Sequence, residues 1–320
     1  FPTGYTVQNS YDDYSNIIEV DDMEGHTIWA PADANARGQI THVWKGAKET
    51  VYGYDARGLN TSIQAQGVVD MFYVFDTKGN MQSRTDNLTS QQEQFTYDAL
   101  NRLTNWDVYK NNALVKQNNQ TYDALTGNIT SRTDLDNFTM SYGGKRPDGS
   151  DIGPHALATI NGVPHITPSA DLSVTYTDFN KIATLTEGDK SYSLTYGVDL
   201  QRKKSTQTVN GATTTKYYVG DYEEETDGNG NTKKIHYLSG GAIYVETTPP
   251  SGGWGAGALY YGYTDNQGSL IALTDETGNV VEKYAYDPWG ARRNPNNWTL
   301  AGSPPAGDLG GLNRGYTGHE

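Results

Sequence analysis

Tyr97-Asp98-Ala99-Leu100-Asn101-Arg102-Leu103 is one instance of a phrase that recurs along this 320-residue chain. The phrase is an aromatic, an aspartate, two or three variable residues, a glycine or asparagine, and usually an aliphatic. Tyr54-Asp55-Ala56-Arg57-Gly58-Leu59 and Phe75-Asp76-Thr77-Lys78-Gly79-Asn80-Met81 precede it. Tyr122-Asp123-Ala124-Leu125-Thr126-Gly127-Asn128-Ile129 and Tyr286-Asp287-Pro288-Trp289-Gly290 follow. The aromatics at 54, 75, 97 and 122 are 21, 22 and 25 residues apart. A period in the range of ~20–50 residues marks a repeat architecture, so it is read before any catalytic residue is sought. Asp starts a turn by bonding the backbone ahead of it, and Gly or Asn accepts the positive φ of a tight turn. The flanks alternate, as in Phe95-Thr96-Tyr97 and Ser193-Leu194-Thr195-Tyr196. Period two with Thr, Val and Tyr reads as strand. Each unit is therefore a β-hairpin.

Less regular copies extend the phase. Tyr11-Asp12-Asp13-Tyr14-Ser15-Asn16-Ile17 begins 43 residues before Tyr54, and Ala32–Ile40 is a worn copy between them that has lost its aromatic. Others start at Tyr176, Tyr196 and Tyr263. Asn210-Gly211, between two threonine-rich runs, is a type I′ hairpin signal, and Asn161-Gly162 and Asp227-Gly228 are further candidates. Gly, Asn and Thr interrupt every window long enough for an amphipathic helix. The expected fold is all-β, and successive aromatics are expected to stack ring on ring. The organisation reads as repeats over 1–142, a loop-rich insertion around one hairpin over 143–170, repeat-like hairpins over 171–246, a Gly/Pro-rich loop over 247–258 and a final segment over 259–320. All five belong to one continuous domain. A third Gly/Pro-rich run spans 301–311.

Composition narrows the function classes. The formal net charge is -14 and the longest basic run is Arg202-Lys203-Lys204, which gives no stripe for nucleic acid and none for an anionic membrane surface. Mean hydropathy is -0.71, yet 24 tyrosines argue against disorder. A tyrosine buries its ring while its hydroxyl stays bonded, which suits a thin β-assembly. There is no cysteine, and no apolar stretch approaches the ~18 residues of a membrane span. Phe1 opens without a signal-like core and Glu320 follows no stop composition, so the chain reads as a piece excised from a longer protein.

No motif compels catalysis. His155 and His165 flank Asn161-Gly162; a two-residue turn there pairs 165 with 158 and 155 with 168, too far apart to share a metal. Asp227-Gly228-Asn229-Gly230-Asn231 resembles the start of a calcium loop, but Thr232 stands at the sixth position and Leu238 at the twelfth. It reads as a hairpin tip. Glu223-Glu224-Glu225 reads as a solvated strand face. The pairs Asp12-Asp13 and Asp21-Asp22 face opposite sides of a strand and make no acid/base dyad. Neither a nucleophile elbow nor a phosphate loop is present. The expectation is no catalytic residue, no metal and no cofactor.

These residues resemble a known family. The Tyr-Asp-x-x-Gly copies are similar to the YD repeats of the Rhs (rearrangement hotspot) family. The run from Tyr263 through Thr277-Gly278-Asn279-Val280-Val281 to Tyr284-Ala285-Tyr286-Asp287-Pro288-Trp289-Gly290 is similar to its associated core region, and Arg314–Glu320 to the segment that follows it. The resemblance implies hairpins joined into a long, spiralling sheet that forms a β-shell. In bacterial members the shell encloses a C-terminal toxin, released by self-cleavage; in animal teneurins a related shell serves adhesion. Asp287-Pro288-Trp289-Gly290 imitates the end of the cleavage motif, but Glu282 replaces its proline and the stretch lies in the repeat phase, so self-cleavage is not carried over. The repeat-signature residues are Tyr54, Asp55, Gly58, Phe75, Asp76, Gly79, Tyr97, Asp98, Tyr122, Asp123, Gly127, Tyr286, Asp287 and Gly290. The implied role is the wall of a secreted or cell-surface bacterial shell whose partner is the toxin region of the same polypeptide. The alternative is an adhesion module whose exposed tyrosines bind glycans or a cell-surface protein. Open sheet edges in such a fragment invite pairing with another copy.

Overall fold

In a computed structural model the described residues are 1–134, 138–145, 151–161, 173–248, 257–299 and 315–318. They form two compact units, one holding 1–71, 173–295 and 315–318 and the other 72–161 and 296–299. The fold is all-β, with antiparallel strands paired in chain order. Single 3-10 turns, Ser239–Gly241 and Tyr316–Gly318, are the helical elements of the described residues.

The first unit contains two runs of strands. One is β1 Val7–Tyr11, β2 Ile17–Asp22, β3 Thr27–Ala34, β4 Ile40–Lys45, β5 Lys48–Tyr54, β6 Asn60–Ala65 and β7 Val69–Phe75, whose last residues reach into the second unit. The second unit carries β8 Met81–Asp86, β9 Gln91–Tyr97, β10 Leu103–Lys110 and β11 Ala113–Lys116. A four-stranded sheet follows, of β12 Gln120–Tyr122, β13 Ile129–Arg132, β14 Phe138–Lys145 and β15 Asp151–Asn161. The other run of the first unit is an eleven-stranded sheet: β16 Ser173–Tyr176, β17 Ile182–Glu187, β18 Lys190–Tyr196, β19 Arg202–Val209, β20 Ala212–Val219, β21 Tyr222–Thr226, β22 Thr232–Tyr237, β23 Ala242–Thr248, β24 Ala258–Thr264, β25 Leu270–Thr274 and β26 Val280–Lys283. The small ribbon of β27 Ala285–Tyr286 and β28 Arg292–Arg293 ends the described strands.

The twenty-odd-residue period has a structural origin. From β4 to β7, and again from β16 to β20, hairpin tips alternate between an Asp-type turn at one end of a strand and a two-residue turn at the other. Val209 pairs with Ala212 across Asn210 (φ +51°) and Gly211 (φ +79°), the type I′ turn that the dipeptide predicts. Asn111 (φ +50°) and Asn112 (φ +61°) make an equivalent turn between β10 and β11 without a glycine. Two turns and two strands return the chain to its starting edge, which is one period. The pairing expected across Asn161-Gly162, including His165, lies outside the described residues, as do most of 247–258 and all of 301–311.

Within the first unit, β3 and β4 pack on the β23–β25 end of the long sheet. Lys45 Nζ donates to Gly262 O at 2.8 Å and Tyr261 Oη to Thr27 O at 3.3 Å. Gly46 (φ +51°) sits where any Cβ meets the Tyr261 ring, so both the turn and the close approach require glycine. Ile235, Ile243, Val245, Tyr260, Leu270, Leu273, Tyr284 and Tyr286 form the buried cluster beside this contact. Each such side chain contributes roughly 1.5–3 kcal/mol on burial. Tyr5 stacks on Tyr244 with ring centroids 3.9 Å apart, and Thr3 Oγ1 bonds the fully buried His236 at 2.8 Å.

Register across β16–β20 aligns Ser173-Val174-Thr175, Thr184-Leu185-Thr186, Ser191-Tyr192-Ser193, Thr206-Gln207-Thr208 and Thr213-Thr214-Thr215. The outer residues of the five triplets form two rows of hydroxyls on one face. The row through Thr206 and Thr215 continues over Thr226, Thr232 and Thr248.

Candidate functional site

The repeated element is the Asp-led turn, and Asp55 illustrates it. Its N–H donates to Leu59 O and its carbonyl accepts from Gly58 N, both at 2.9 Å. Oδ1 accepts from Arg57 N at 2.9 Å and Leu59 N at 3.0 Å, while Gly58 has φ +91°. One carboxylate oxygen thus satisfies two backbone donors that the bend leaves unpaired. Opposite the turn, Gly53 pairs with Ser62 but Tyr54 with Asn60, so Thr61 is a bulge. Asp76 repeats the pattern with Lys78 N, Asn80 N and Gly79 at φ +93°. Asp98 repeats it with Leu100 N, Arg102 N and Asn101 at φ +60°. Asp287 does so with Trp289 N, Ala291 N and Gly290 at φ +87°. Asp123 spans one residue more, accepting from Leu125 N and Thr126 N, with Gly127 at φ +73°.

Hydrogen bonding also sets the charge state of these aspartates. At Asp98 the backbone N–H of Arg102 acts most strongly, and the carboxyl lies below the usual carboxylate range. At Asp55 desolvation pushes the carboxyl up, but the bonds from Leu59 and Arg57 outweigh it and it also ends low.

Several turns were not assigned in this way from sequence. Asp22-Met23-Glu24-Gly25 and Asp275-Glu276-Thr277-Gly278 form the same turn, with Asp22 accepting from Glu24 N and His26 N and Asp275 from Thr277 N and Asn279 N. The Asp-x-x-Gly spacing signals both, even without an aromatic neighbour. In the worn copy the turn residue is Asn35 rather than Asp33, since Asn35 Oδ1 accepts from Arg37 N and Gln39 N. Asp227-Gly228 is not a two-residue turn: Asp227 N donates to Asn231 O, and Thr226 pairs with Thr232. It remains a hairpin tip. Thr177 and Gly197 occupy the Asp position in two copies, judged by Thr177 N to Lys181 O and Gly197 N to Gln201 O.

In the Gly197 copy, Leu200 sits at φ +58° where other copies carry Gly or Asn. A left-handed L-residue costs about 1–2 kcal/mol, and glycine returns part of that through unfolded-chain entropy. Leu200→Gly is therefore expected to raise stability by about 0.5–1 kcal/mol in urea denaturation. A lowered midpoint contradicts this.

Successive copies are joined differently from the expected ring stacking. Tyr54 Oη donates to Ile40 O at 3.0 Å, and Tyr97 to Met81 O, Tyr122 to Leu103 O and Tyr196 to Ile182 O, each at 2.8 Å. Each accepting residue is the aliphatic that closes the preceding copy. Neighbouring turns also bond: Arg37 Nη1 and Nη2 donate to Arg57 O and Ala56 O, both at 2.6 Å, and Lys181 Nζ to Leu200 O at 2.6 Å. Arg102 lies 4.2 Å from the Tyr122 ring centroid. Tyr97→Phe is expected to cost about 1 kcal/mol, the net worth of one hydrogen bond. An unchanged denaturation midpoint shows that the staple carries no stability.

Buried charges mark the covered face of the sheets. Arg84 holds Glu93 through Nε at 2.8 Å and Nη2 at 2.6 Å, with the Glu93 side chain 0% exposed. Lys216 lies 3.4 Å from Glu223 and 3.7 Å from Glu225. This corrects the reading of Glu223-Glu224-Glu225 as solvated, because Glu223 is buried and lies diagonally within reach of Lys216, which pairs in register with Glu225. In the second unit an open cleft of about 700 Å³ is lined by Asp123, Thr126, Asn128, Tyr142 and Pro154 among others. Its amide is already occupied, Asn128 bonding Pro154 O at 3.0 Å and His155 Nδ1 at 2.8 Å. The signature residues sit at separate turns and do not converge on a reacting centre. Among the described residues no group of three His, Asp or Glu is placed to hold a metal.

No protein-family model matches the chain. The tRNA nuclease WapA of Bacillus subtilis (strain 168) is 31% identical over 130 residues, covering 38% of this chain and 5% of WapA. The tRNA(Glu)-specific nuclease WapA of Bacillus subtilis subsp. natto (strain BEST195) is 30% identical over 128 residues, again covering 38% of this chain and 5% of that protein. Among solved structures, TcdB2-TccC3 without its hypervariable C-terminal region superposes with a TM-score of 0.68 at 14% identity, over 95% of this chain and 19% of that one. TcdB2-TccC3-Cdc42 gives 0.69 at 14% identity, over 98% and 19%. The chain therefore spans about a twentieth of its curated relatives and a fifth of these structures. The repeated Asp-led turns, the in-order antiparallel hairpins and these likenesses agree: the chain has the Rhs-type YD-repeat fold that its sequence resembles.

Proposed function

We propose that this chain is part of the wall of an Rhs-type shell, and that the shell encloses a toxic C-terminal region of a longer polypeptide. The observation that carries the reading is the superposition on TcdB2-TccC3 over 95–98% of the chain. It is supported by sequence similarity to nucleases that are far longer than the matched segment. On this reading the wall acts mechanically. Asp-led turns set the spacing of the hairpins, tyrosine hydroxyls join one copy to the next, and the hydrogen-bonded sheets keep proteases from what lies behind them. The reaction belongs to the enclosed region. The described residues include no helix long and apolar enough to cross a membrane, and secretion or cell-surface display belongs to the same proposal.

The test is limited proteolysis of the intact gene product, extended past Glu320. A resistant body together with a protected C-terminal fragment supports the wall. Digestion of the C-terminal region at the rate of the same region expressed alone overturns it, and the adhesion reading then takes its place.

A further inference from the structure

Residues 1–5 carry no repeat phrase and precede the first strand, yet they cover one face of β21–β23. Gly4, at φ +89°, turns the segment back on itself, with Gly4 N donating to Phe1 O at 3.0 Å and Tyr5 N to Thr3 Oγ1 at 3.3 Å. The face beneath is aromatic, with Tyr222, His236 and Tyr244 in register on three adjacent strands. His236 is fully buried there. The ring centroids of Phe1, Tyr5, Tyr222 and Tyr244 lie 5.0, 5.6, 5.1 and 5.5 Å from its own. Both of its nitrogens are engaged. Nδ1 lies 3.2 Å from Tyr244 O, which only accepts, so Nδ1 is assigned the proton. Nε2 is then the acceptor, and Thr3 Oγ1 donates to it at 2.8 Å. The arrangement is complete for a neutral imidazole and makes no provision for a charged one.

We infer that residues 1–5 form an acid-released clasp on β21–β23, with His236 as the group whose protonation undoes it. A proton on Nε2 turns Thr3 Oγ1 from donor to acceptor and takes from its O–H the partner it now has. It also places a charge among four rings. Among the described residues the histidines in ion pairs are His26 and His42, so His236 has no counter-ion. The groups around it do not supply one. On the clasp are Tyr5 and the Phe1 amino group, which donates to Tyr5 O at 2.9 Å. On β21 is Tyr222, whose hydroxyl holds Glu224 at 2.6 Å. Lys234 lies on β22, and Tyr244 and Glu246 on β23. Burial acts most strongly and pushes the His236 pKa below its ordinary value, against the bond to Tyr244 O and with the Phe1 amino group and Lys234 acting in the same sense as burial. His26, on the turn between β2 and β3, has the opposite sign, since its bond to Asp22 Oδ2 at 2.8 Å raises its pKa. Acid therefore strengthens that turn while it loosens the clasp. Once released, the imidazole is in water and takes its proton near about pH 6.5. Between that value and the lower docked one the released form binds more protons, so docking weakens as pH falls, by up to about tenfold per unit. Well above pH 6.5 neither form is protonated and docking no longer depends on this group. Ordinary carboxylates titrate near about 4, which leaves the interval from about pH 6.5 to 5 to histidine.

The chain has no cysteine, so a single dye can be placed on the whole chain through Pro2→Cys, an exposed position of the clasp. Its fluorescence anisotropy is expected to decay slowly, with the protein, well above pH 6.5. A fast component should grow as the pH falls toward about 5, the ratio of released to docked clasp rising by up to about tenfold per unit. Histidine ring NMR on the same protein should give a His236 midpoint that coincides with the anisotropy change. His236→Asn keeps a donor and an acceptor but does not titrate, and its anisotropy should stay flat over the interval. His26→Asn should leave the change where it is. Thr3→Val keeps the shape but removes the hydroxyl from Nε2, and should move release to higher pH; it carries the test where His236→Asn does not dock at all. A dye on Thr213→Cys, in the β19–β20 hairpin, reports the sheet itself and should not respond. A wild-type clasp that stays docked down to about pH 5 overturns the inference. So does a release curve that His236→Asn and Thr3→Val both leave unchanged. A simultaneous response at position 213 means that the sheet itself unfolds, and overturns it as well. None of these outcomes depends on whether a toxin is enclosed, so this inference and the shell reading fail separately.

Discussion

Arg84→Met alone is expected to lower the unfolding free energy by about 3–5 kcal/mol, because it strands a charged Glu93 with its partner gone. The Glu93 side chain is 0% exposed and takes two bonds from the guanidinium. The same guanidinium lies 5.7 Å from the Phe95 ring centroid and 5.5 Å from that of Trp298, so few waters can replace it. Replacing both partners by apolar residues, Arg84→Met with Glu93→Leu, removes the desolvation cost along with the attraction, and most of the loss should be recovered. Urea denaturation followed by tryptophan fluorescence reads this directly, since Trp298 lies beside the pair. If the double variant is as unstable as the single, the pair is not what holds this part of the second unit together. If the chain is the wall proposed above, the single variant should open to protease first at β8–β9.

Lys45 is expected to behave in the opposite way. It is 6% exposed and donates to Gly262 O at 2.8 Å, and burial pushes its pKa down to about 8. In the unfolded chain the value is about 10.4. Below pH 8 both states carry the proton and the folded state bears the whole cost of the buried charge. Between pH 8 and about 10.4 the folded state loses the proton more readily, so stability rises with pH by up to ~1.4 kcal/mol per unit, about 3 kcal/mol in all. Lys45→Met is expected to stabilise the chain at pH 7 by about 1 kcal/mol, after allowing ~2 kcal/mol for the lost charge-assisted bond to Gly262 O. The variant's stability should also lack the wild-type rise above pH 8. Denaturation midpoints measured from pH 7 to 10 separate the outcomes, and parallel curves for the two proteins sink the argument.

The turns were legible because their determinants are local. An Asp whose carboxylate reaches N–H groups two and four residues ahead, followed by a residue that tolerates positive φ, needs nothing from elsewhere in the chain. Asp55, Asp76, Asp98, Asp123 and Asp287 therefore appear where the phrase puts them. Where reading by the aromatic-Asp pair failed, as at Asn35 and Asp22, it failed because the aromatic is not part of the turn. Tyr97 serves contact with the previous copy, and its partner, Met81 O, lies 16 residues back on another strand. No spacing rule within one phrase reports that.

The covered face was less legible. Glu223-Glu224-Glu225 alternates sides like any strand, and nothing local says that Glu223 faces Lys216 rather than water. Arg84 and Glu93 meet because β8 and β9 pair them directly, and the register depends on the turn at residues 87–90. Lys45 is buried by strands more than two hundred residues away, through Gly262. The hydroxyl rows show the same division. Each Ser/Thr-x-Ser/Thr triplet is visible in sequence, but their alignment into rows follows from four successive registers.

By itself the sequence determined the all-β class, the hairpin unit and its period, because these depend on turn chemistry and on alternation within about ten residues. Only the tertiary structure decided which polar residues are buried, which tyrosine reaches which carbonyl and which hydroxyls line up, because strand register and sheet packing are set by partners far away along the chain.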